Sequence, residues 1–120
     1  LVTPGNLEDD LGALAEVDWI IEAVLEDPAV KATLYRTIDA ARRPGSIVSS
    51  NTSTIPLATL VAGQSDAFAA DFAITHFFNP PRHMRLVELV AGPRTRPEVV
   101  ALLRETCDVR LGKGVVTCKD

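Results

Sequence analysis

A histidine and a glutamate on neighbouring apolar segments have the residue types of an acid–base pair. His76 ends segment 72–76, and Glu88 lies within the next segment, 85–90. A carboxylate bound to one ring nitrogen of an imidazole fixes its tautomer and leaves the other nitrogen to act as a base. We therefore expect Glu88 to orient His76. Two simpler interpretations stay open at this point: an imidazole that binds a backbone carbonyl, and a glutamate that faces outward from its strand.

Glu26 and Lys31 flank the start of a predicted helix and suit a nucleotide. Asp27-Pro28 is a helix-start pair, a capping aspartate followed by proline at the first helical position. Glu26 precedes this pair at a strand end, where its carboxylate can accept hydrogen bonds from sugar hydroxyls. Lys31 lies one turn into the helix and can meet a phosphate or a ribose. A solvated surface lysine is the simpler alternative.

Polar turns follow the next two predicted strands. Asn51 and Ser53 lie in the turn after strand 46–50, and Asn79 follows His76. In open α/β sheets, ligands bind beyond the carboxyl ends of the strands, so these side chains are expected to meet at one edge of the sheet. The convergence of several polar side chains carries more weight than any single residue.

A zinc site and a serine hydrolase are weaker alternatives for the same residues. His76 and His83 are separated by two prolines, and neither cysteine is near them in sequence. Ser53 lies in a turn without glycine, and the chain has no G-x-S-x-G motif for a nucleophile elbow. The sequence therefore predicts no metal site and favours proton transfer over acyl-enzyme chemistry.

The elements that position these residues alternate between strands and helices. Predicted strands cover residues 19–24, 46–50, 72–76, 85–90 and 114–118, and predicted helices cover residues 7–15, 28–43 and 55–62, with a last helix that ends near residue 112. Asn6 is the expected cap of the first helix, and Thr95 that of the last. Val30 and Ile38 mark the expected buried face of helix 28–43. This alternation predicts an α/β domain with a largely parallel sheet.

Composition sets the class of protein. With 120 residues, 47% hydrophobic and 23% charged, the chain is expected to form one folded domain. The net charge of −4 argues against nucleic acid binding. No apolar run approaches the roughly 18 residues of a membrane span, so no membrane partner is expected. No signal peptide is visible, and we expect a cytoplasmic protein in which Cys107 and Cys118 stay reduced.

The strand ends and turns resemble those of the 3-hydroxyacyl-CoA dehydrogenase family. The blocks that carry the resemblance are W-I-I-E-A-V-L-E from Trp19 to Glu26, S-N-T-S from Ser50 to Ser53, H-F-F-N-P-P from His76 to Pro81 and M-R-L-V-E-L-V from Met84 to Val90. Segment Lys113–Asp120 resembles the family's segment before its C-terminal helical domain, so the likeness covers essentially the whole chain. It implies a Rossmann-like NAD-binding domain over residues 1–120 with flanking helices, truncated at both ends.

The resemblance implies an enzyme that oxidises L-3-hydroxyacyl-CoA to 3-ketoacyl-CoA and passes hydride to NAD, in fatty acid β-oxidation or 3-hydroxybutyryl-CoA metabolism. The site residues that it implies are, by role, catalytic His76 and Glu88, substrate-binding Ser53 and Asn79, and cofactor-binding Glu26, Lys31, Asn51 and Ser53. His76 would remove the hydroxyl proton as hydride leaves C3, and Glu88 would stabilise the resulting imidazolium.

Parts of the family pattern are missing from these 120 residues. The only G-x-G, Gly112–Gly114, precedes a strand and is not the glycine-rich phosphate loop of dinucleotide-binding folds. We therefore expect the domain alone to bind NAD poorly and to turn over little. The full-length protein is expected to form a homodimer through a C-terminal domain. A catalytically inactive relative that binds nucleotide or CoA, and a dehydrogenase for free hydroxy acids, are the alternatives.

Overall fold

The computed structural model describes residues 1–120 and contains a single sheet of five strands. The strands are β1 (Trp19–Glu22), β2 (Ile47–Ser50), β3 (Phe72–Phe77), β4 (Leu86–Ala91) and β5 (Gly114–Cys118). They lie side by side in chain order, and all neighbours are parallel except β3 and β4, which are antiparallel. The predicted largely parallel sheet is therefore confirmed, although the first strand ends at Glu22 and not at residue 24.

Helices cover both faces of the sheet. They are α1 (Pro28–Ala41), α2 (Leu57–Leu60), α3 (Asp66–Ala70) and α4 (Pro97–Glu105), and a π-helical turn, Thr106–Arg110, extends α4. Helices α1 to α3 pack on one face, where the rings of Tyr35, Phe68 and Phe72 lie with centroids 5.2 to 5.3 Å apart. Helix α4 packs Val99 and Leu103 on the other face. None of these helices has the length and apolar character needed to span a membrane.

Helix α1 buries only part of the face that was predicted. Ile38 is buried as expected, together with Lys31 and Tyr35, whereas Val30 is 44% exposed. The polar ends of Lys31 and Tyr35 both reach the carboxylate of Glu22 on β1, and the ring of Tyr35 packs against Phe68 and Phe72. Hydrophobic spacing alone missed Lys31 because it counts a lysine as a surface residue.

The expected cap of the last helix is wrong. The cap residue of α4 is Arg96, and no side chain caps this helix. The hydroxyl of Thr95 instead accepts a hydrogen bond from the backbone N–H of Gly92 at 2.9 Å and donates to the carbonyl of Phe72 at 2.8 Å. Thr95 therefore connects the turn after β4 to the start of β3. Its hydroxyl makes these two hydrogen bonds and does not cap α4.

The predicted helix over residues 7–15 is also wrong. The chain forms a turn there, closed by Asn6 Oδ1, which accepts from the backbone N–H groups of Glu8 and Asp9 at 2.8 and 2.7 Å. A 3₁₀ helix follows over Leu11–Glu16, and none of its residues is buried. Its Leu14 packs against the core while only partly buried, so the segment gains less from packing, which is where most helix stability in proteins originates.

A short helix that the sequence analysis did not predict, α3, lies between α2 and β3. Its cap is Ser65, whose Oγ accepts from the backbone N–H of Phe68 at 3.0 Å. Phe68 is fully buried under α1, so one aromatic ring anchors a helix of five residues. Neither its length nor its single large apolar residue gives a periodic signal.

Candidate active site

His76 and Glu88 form a hydrogen-bonded pair across the one antiparallel junction of the sheet. The register of β3 and β4 places these two residues directly opposite each other, so their side chains leave the same face. His76 Nδ1 lies 2.8 Å from Glu88 Oε2. An ionised carboxylate only accepts, so the proton of a neutral imidazole is held on Nδ1 and Nε2 keeps a free lone pair. The ring of Phe78 packs on the imidazole with centroids 4.5 Å apart.

Ser53 projects from the turn that follows β2. The hydroxyl of Thr52 closes this turn by accepting from the backbone N–H of Ile55 at 3.1 Å. The hydroxyl of Ser53 has no hydrogen-bond partner within the protein, and Ser53 lines a cleft of about 190 Å³ together with His76 and Glu88. The cleft therefore holds an oriented imidazole and a hydroxyl that is available to a ligand.

A polar groove adjoins this cleft and runs along the carboxyl ends of β1, β2 and β3. Its volume is about 220 Å³, and its lining includes every site residue implied by the sequence except Glu88, namely His76, Ser53, Asn79, Glu26, Lys31 and Asn51. Because His76 and Ser53 line both the groove and the cleft, the two spaces meet at these two side chains. The expected convergence at one edge of the sheet is thus observed.

Glu26 lines the groove and binds the turn that carries Ser53. Its Oε1 accepts from the hydroxyl of Thr52 at 2.7 Å, and its Oε2 accepts from the backbone N–H of Ser53 at 3.3 Å. Partial burial opposes ionisation, but these hydrogen bonds and the charge of Lys31 outweigh it and hold the pKa of Glu26 below its usual value. Glu26 is therefore an ionised acceptor with free lone pairs on the groove side.

Lys31 is buried, so the simpler interpretation of a solvated surface lysine is wrong. Its side chain is 2% exposed, and its Nζ lies 2.6 Å from Glu22 Oε1 and 3.5 Å from Glu26 Oε1. The ammonium group therefore sits between two carboxylates at the floor of the groove.

Asn51 joins the ends of two strands. Its Oδ1 accepts from the backbone N–H of Phe77 at 2.9 Å, and its own N–H donates to the carbonyl of Glu22 at 2.8 Å. These contacts fix the orientation of the side-chain amide, and its NH₂ group is left for the groove. Asn79 lines the same groove from the loop after β3.

Two acidic residues at this edge were missed by the sequence analysis. Glu22 sits within an apolar strand and is 3% exposed, and the carboxylate of Asp120 accepts from the backbone N–H groups of Leu57 and Ala58 at the start of α2. An acid inside the run Trp19–Val24 was a usable signal for Glu22. Nothing local signals the cap by Asp120, because it joins residues that are 63 positions apart.

Burial and hydrogen bonding act in opposite directions on the group around Glu22. Burial alone would raise the pKa of Glu22, but hydrogen bonds from Lys31, Ser50 and Tyr35 outweigh it and lower that pKa. Burial, together with the charge of Glu22, raises the pKa of the Tyr35 phenol. Tyr35 therefore stays a neutral donor to an ionised carboxylate.

A cleft larger than either of these two spaces lies at the opposite edge of the sheet. It has a volume of about 520 Å³ and is lined by α4 and by residues at the amino ends of β1 and β2, such as Trp19 and Ile47. It contains none of the implied site residues. The structure also shows no group of three or more histidine, cysteine or acidic side chains that could hold a metal ion.

Comparisons with known proteins agree with this geometry. The model of the family "3-hydroxyacyl-CoA dehydrogenase, NAD binding domain" matches residues 1–120. The chain is similar to a probable 3-hydroxyacyl-CoA dehydrogenase of Bacillus subtilis, with 48% identity over 99% of this chain and 15% of that protein. It is also similar to a probable 3-hydroxyacyl-CoA dehydrogenase of Deinococcus radiodurans, with 41% identity over 100% of this chain and 35% of that protein.

The fold has counterparts among solved structures. The crystal structure of 3-hydroxybutyryl-CoA dehydrogenase from Escherichia coli superposes with a TM-score of 0.84 and 36% identity, over 92% of this chain and 23% of that one. The chain thus spans about a third or less of the relatives' lengths, and the Rossmann-like fold is confirmed. It belongs to the family of NAD-binding domains of 3-hydroxyacyl-CoA dehydrogenases.

Proposed function

We propose that this domain provides the base and the nicotinamide end of the cofactor site for oxidation of L-3-hydroxyacyl-CoA to 3-ketoacyl-CoA, within a longer protein that acts in fatty acid β-oxidation or 3-hydroxybutyryl-CoA metabolism. The observation that carries the proposal is the pair of His76 and Glu88, 2.8 Å apart, in a cleft that opens into a polar groove. The family match supports both the cofactor and the substrate class.

The side chains of the cleft can perform the proton-transfer half of this reaction. His76 Nε2 removes the proton of the C3 hydroxyl, and Glu88 stabilises the imidazolium that forms. The Ser53 hydroxyl donates to the reacting oxygen, and Asn79, from the adjoining groove, is the proposed contact of the substrate's thioester end. Proton transfer by a positioned base contributes roughly 10²–10⁴-fold in rate. NAD, when bound, supplies the hydride acceptor.

The lining of the groove fits one end of NAD. Glu26 presents an ionised carboxylate that suits the hydroxyls of a ribose, and Asn51 presents an oriented amide that suits the nicotinamide carboxamide. Lys31 supplies positive charge at the floor of the groove. These residues accommodate the nicotinamide riboside part, and the sequence of these 120 residues offers no glycine-rich loop for the phosphates.

The substrate class is tested by steady-state kinetics of the full-length protein with NADH. We expect turnover of acetoacetyl-CoA and at least ~10²-fold lower kcat/KM for free acetoacetate, because binding energy from remote parts of a substrate is used at the reacting centre. Equal values for the two would indicate a dehydrogenase of free hydroxy acids. NAD binding without turnover of either compound would indicate a catalytically inactive relative.

A further inference from the structure

The carboxylate of Glu22 is the most heavily hydrogen-bonded group near the groove, yet Glu22 does not line the groove or the cleft. It is 3% exposed at the carboxyl end of β1. Its donors are Lys31 Nζ at 2.6 Å, Tyr35 Oη at 2.7 Å, Ser50 Oγ at 2.6 Å and the backbone N–H of Val24 at 2.7 Å. A carboxylate with four donors is fixed in both position and charge.

One route leads from Glu22 to the groove through Lys31. The ammonium group of Lys31 contacts Glu22 at 2.6 Å and Glu26 at 3.5 Å. A buried cation must stay with its counterion, because the cost of leaving it unpaired away from water is high. Glu22 therefore determines where the positive charge beneath Glu26 lies, and Glu26 in turn accepts from the backbone N–H of Ser53.

A second route leads from Glu22 to the same turn through Ser50. The hydroxyl of Ser50 donates to Glu22 Oε2 and accepts from the backbone N–H of Thr52 at 3.2 Å. Thr52 in turn donates its hydroxyl to Glu26 Oε1. Both routes thus end at Glu26 and at the turn that carries Ser53.

We propose that Glu22 is a positioning residue, which acts through Lys31 and Ser50 to hold Glu26 and the Ser53 turn in the geometry that receives the ribose of the cofactor. Lys31 carries the effect because its ammonium group lies between the carboxylates of Glu22 and Glu26. This inference rests on the proposed function. Without the charge of Glu22, Lys31 pairs with Glu26 alone and draws it away from Thr52 and from the groove.

The first test is Glu22→Gln in the full-length protein, with NAD affinity measured by calorimetry. We expect the Kd for NAD and the KM for NAD to rise roughly tenfold, about the contribution of a hydrogen bond to a charged group, while kcat at saturating NAD changes less than about threefold. An unchanged Kd for NAD would overturn the inference.

Asp71→Asn is the matched control for lost stability. Asp71 is buried at the opposite edge of the sheet, where it accepts from Arg42 Nη1 at 2.8 Å and from Arg96 Nε at 2.9 Å. This substitution also removes one carboxylate from a buried ion pair, so Tm should fall as it does in Glu22→Gln. The Kd for NAD should stay at the wild-type value, and a rise equal to that of Glu22→Gln would overturn the inference.

The double variant Glu22→Gln, Lys31→Met separates positioning from folding. Removing both charges leaves no unpaired buried ion, so Tm should recover relative to Glu22→Gln alone. The Kd for NAD should stay raised, because Glu26 has then lost the Lys31 ammonium group that holds it in place. A Kd that recovers together with Tm would overturn the inference.

The outcomes also separate this inference from the proposed function. A wild-type protein that neither binds NAD nor turns over substrate would overturn both. Normal NAD binding by the wild type, with an unchanged Kd for NAD in Glu22→Gln, would overturn this inference alone.

Discussion

His76 Nδ1 and Glu88 Oε2 lie 2.8 Å apart because β3 and β4 are the only antiparallel neighbours in the sheet. A parallel neighbour needs a crossover connection, which would carry the chain to the other end of the sheet before it returned. The short loop between Phe77 and Leu86 instead brings the carboxylate of Glu88 back beside the imidazole of His76 at the carboxyl end of β3.

The partnership of the two residues predicts a loss of rate when only the charge of Glu88 is removed. In Glu88→Gln the amide can donate to Nδ1, which favours the tautomer with the proton on Nε2 and so blocks the base. We expect kcat to fall by about 10²-fold or more, with little change in Tm because the side chain is partly exposed. Glu105→Gln, at an exposed position on α4, is the control. A kcat of Glu88→Gln within about threefold of wild type would contradict the orienting role.

Because the hydroxyl of Ser53 has no partner within the protein, its removal should change the kinetics without changing the stability. Ser53→Ala should leave Tm unchanged and lower kcat/KM for acetoacetyl-CoA by about 10-fold or more, since a hydrogen bond to the developing charge is lost. Ser65→Ala is the matched control: it removes the cap of α3, so it should cost about 1 kcal/mol of stability and leave the kinetics unchanged. The assignment fails if the two variants behave alike.

The cap that Asp120 supplies to α2 predicts a long-range contribution to stability. Its carboxylate accepts from Leu57 N–H and Ala58 N–H, which have no partner within so short a helix. In the full-length protein, Asp120→Ala should cost about 1–2 kcal/mol in denaturant unfolding, and the neighbouring Lys119→Ala should cost less than 0.5 kcal/mol, roughly the limit for surface substitutions. Equal losses in the two variants would show that the cap is not a stabilising contact.

The lowered pKa of Glu22 predicts a pH dependence with a defined sign. A carboxyl group with a folded-state pKa below its unfolded value of 4.5 stabilises the protein above that pH and loses this contribution as the pH falls. The difference in unfolding free energy between wild type and Glu22→Gln should therefore be constant above about pH 5.5 and shrink below about pH 4.5. Denaturant unfolding of both proteins at a series of pH values measures this difference in unfolding free energy. A difference that stays constant to about pH 3 would contradict an ionised Glu22 in the native state.

The carboxyl edge of the sheet was predictable because strand ends are marked by polar turns. Asn51, Ser53 and Asn79 follow strands whose apolar runs are plain in the sequence, so their meeting point followed from the α/β order alone. Alternation along β4 did not decide which face Glu88 takes. The antiparallel register opposite His76 decides it, and register depends on pairing between strands.

The floor of the site was not predictable from hydrophobic spacing. Lys31 and Tyr35 are buried on α1 because Glu22 satisfies their polar ends, and each of the three looks misplaced when considered alone. Burial of these polar groups is favourable only when all three are buried together, because each satisfies another's hydrogen bonds. A prediction that considers one residue at a time places each of them at the surface. The Asp120 cap was missed for a related reason, since it depends on a contact across most of the chain.

The central claim is that His76 is the base of the reaction, and His76→Gln in the full-length protein tests it most directly. Glutamine keeps the size and a hydrogen bond to Glu88 but cannot exchange a proton, so kcat for acetoacetyl-CoA with NADH should fall at least ~10²-fold while NAD affinity and Tm are retained. His83→Gln, at an exposed position in the loop before β4, should be as active as wild type. A His76→Gln enzyme with wild-type kcat would contradict the account.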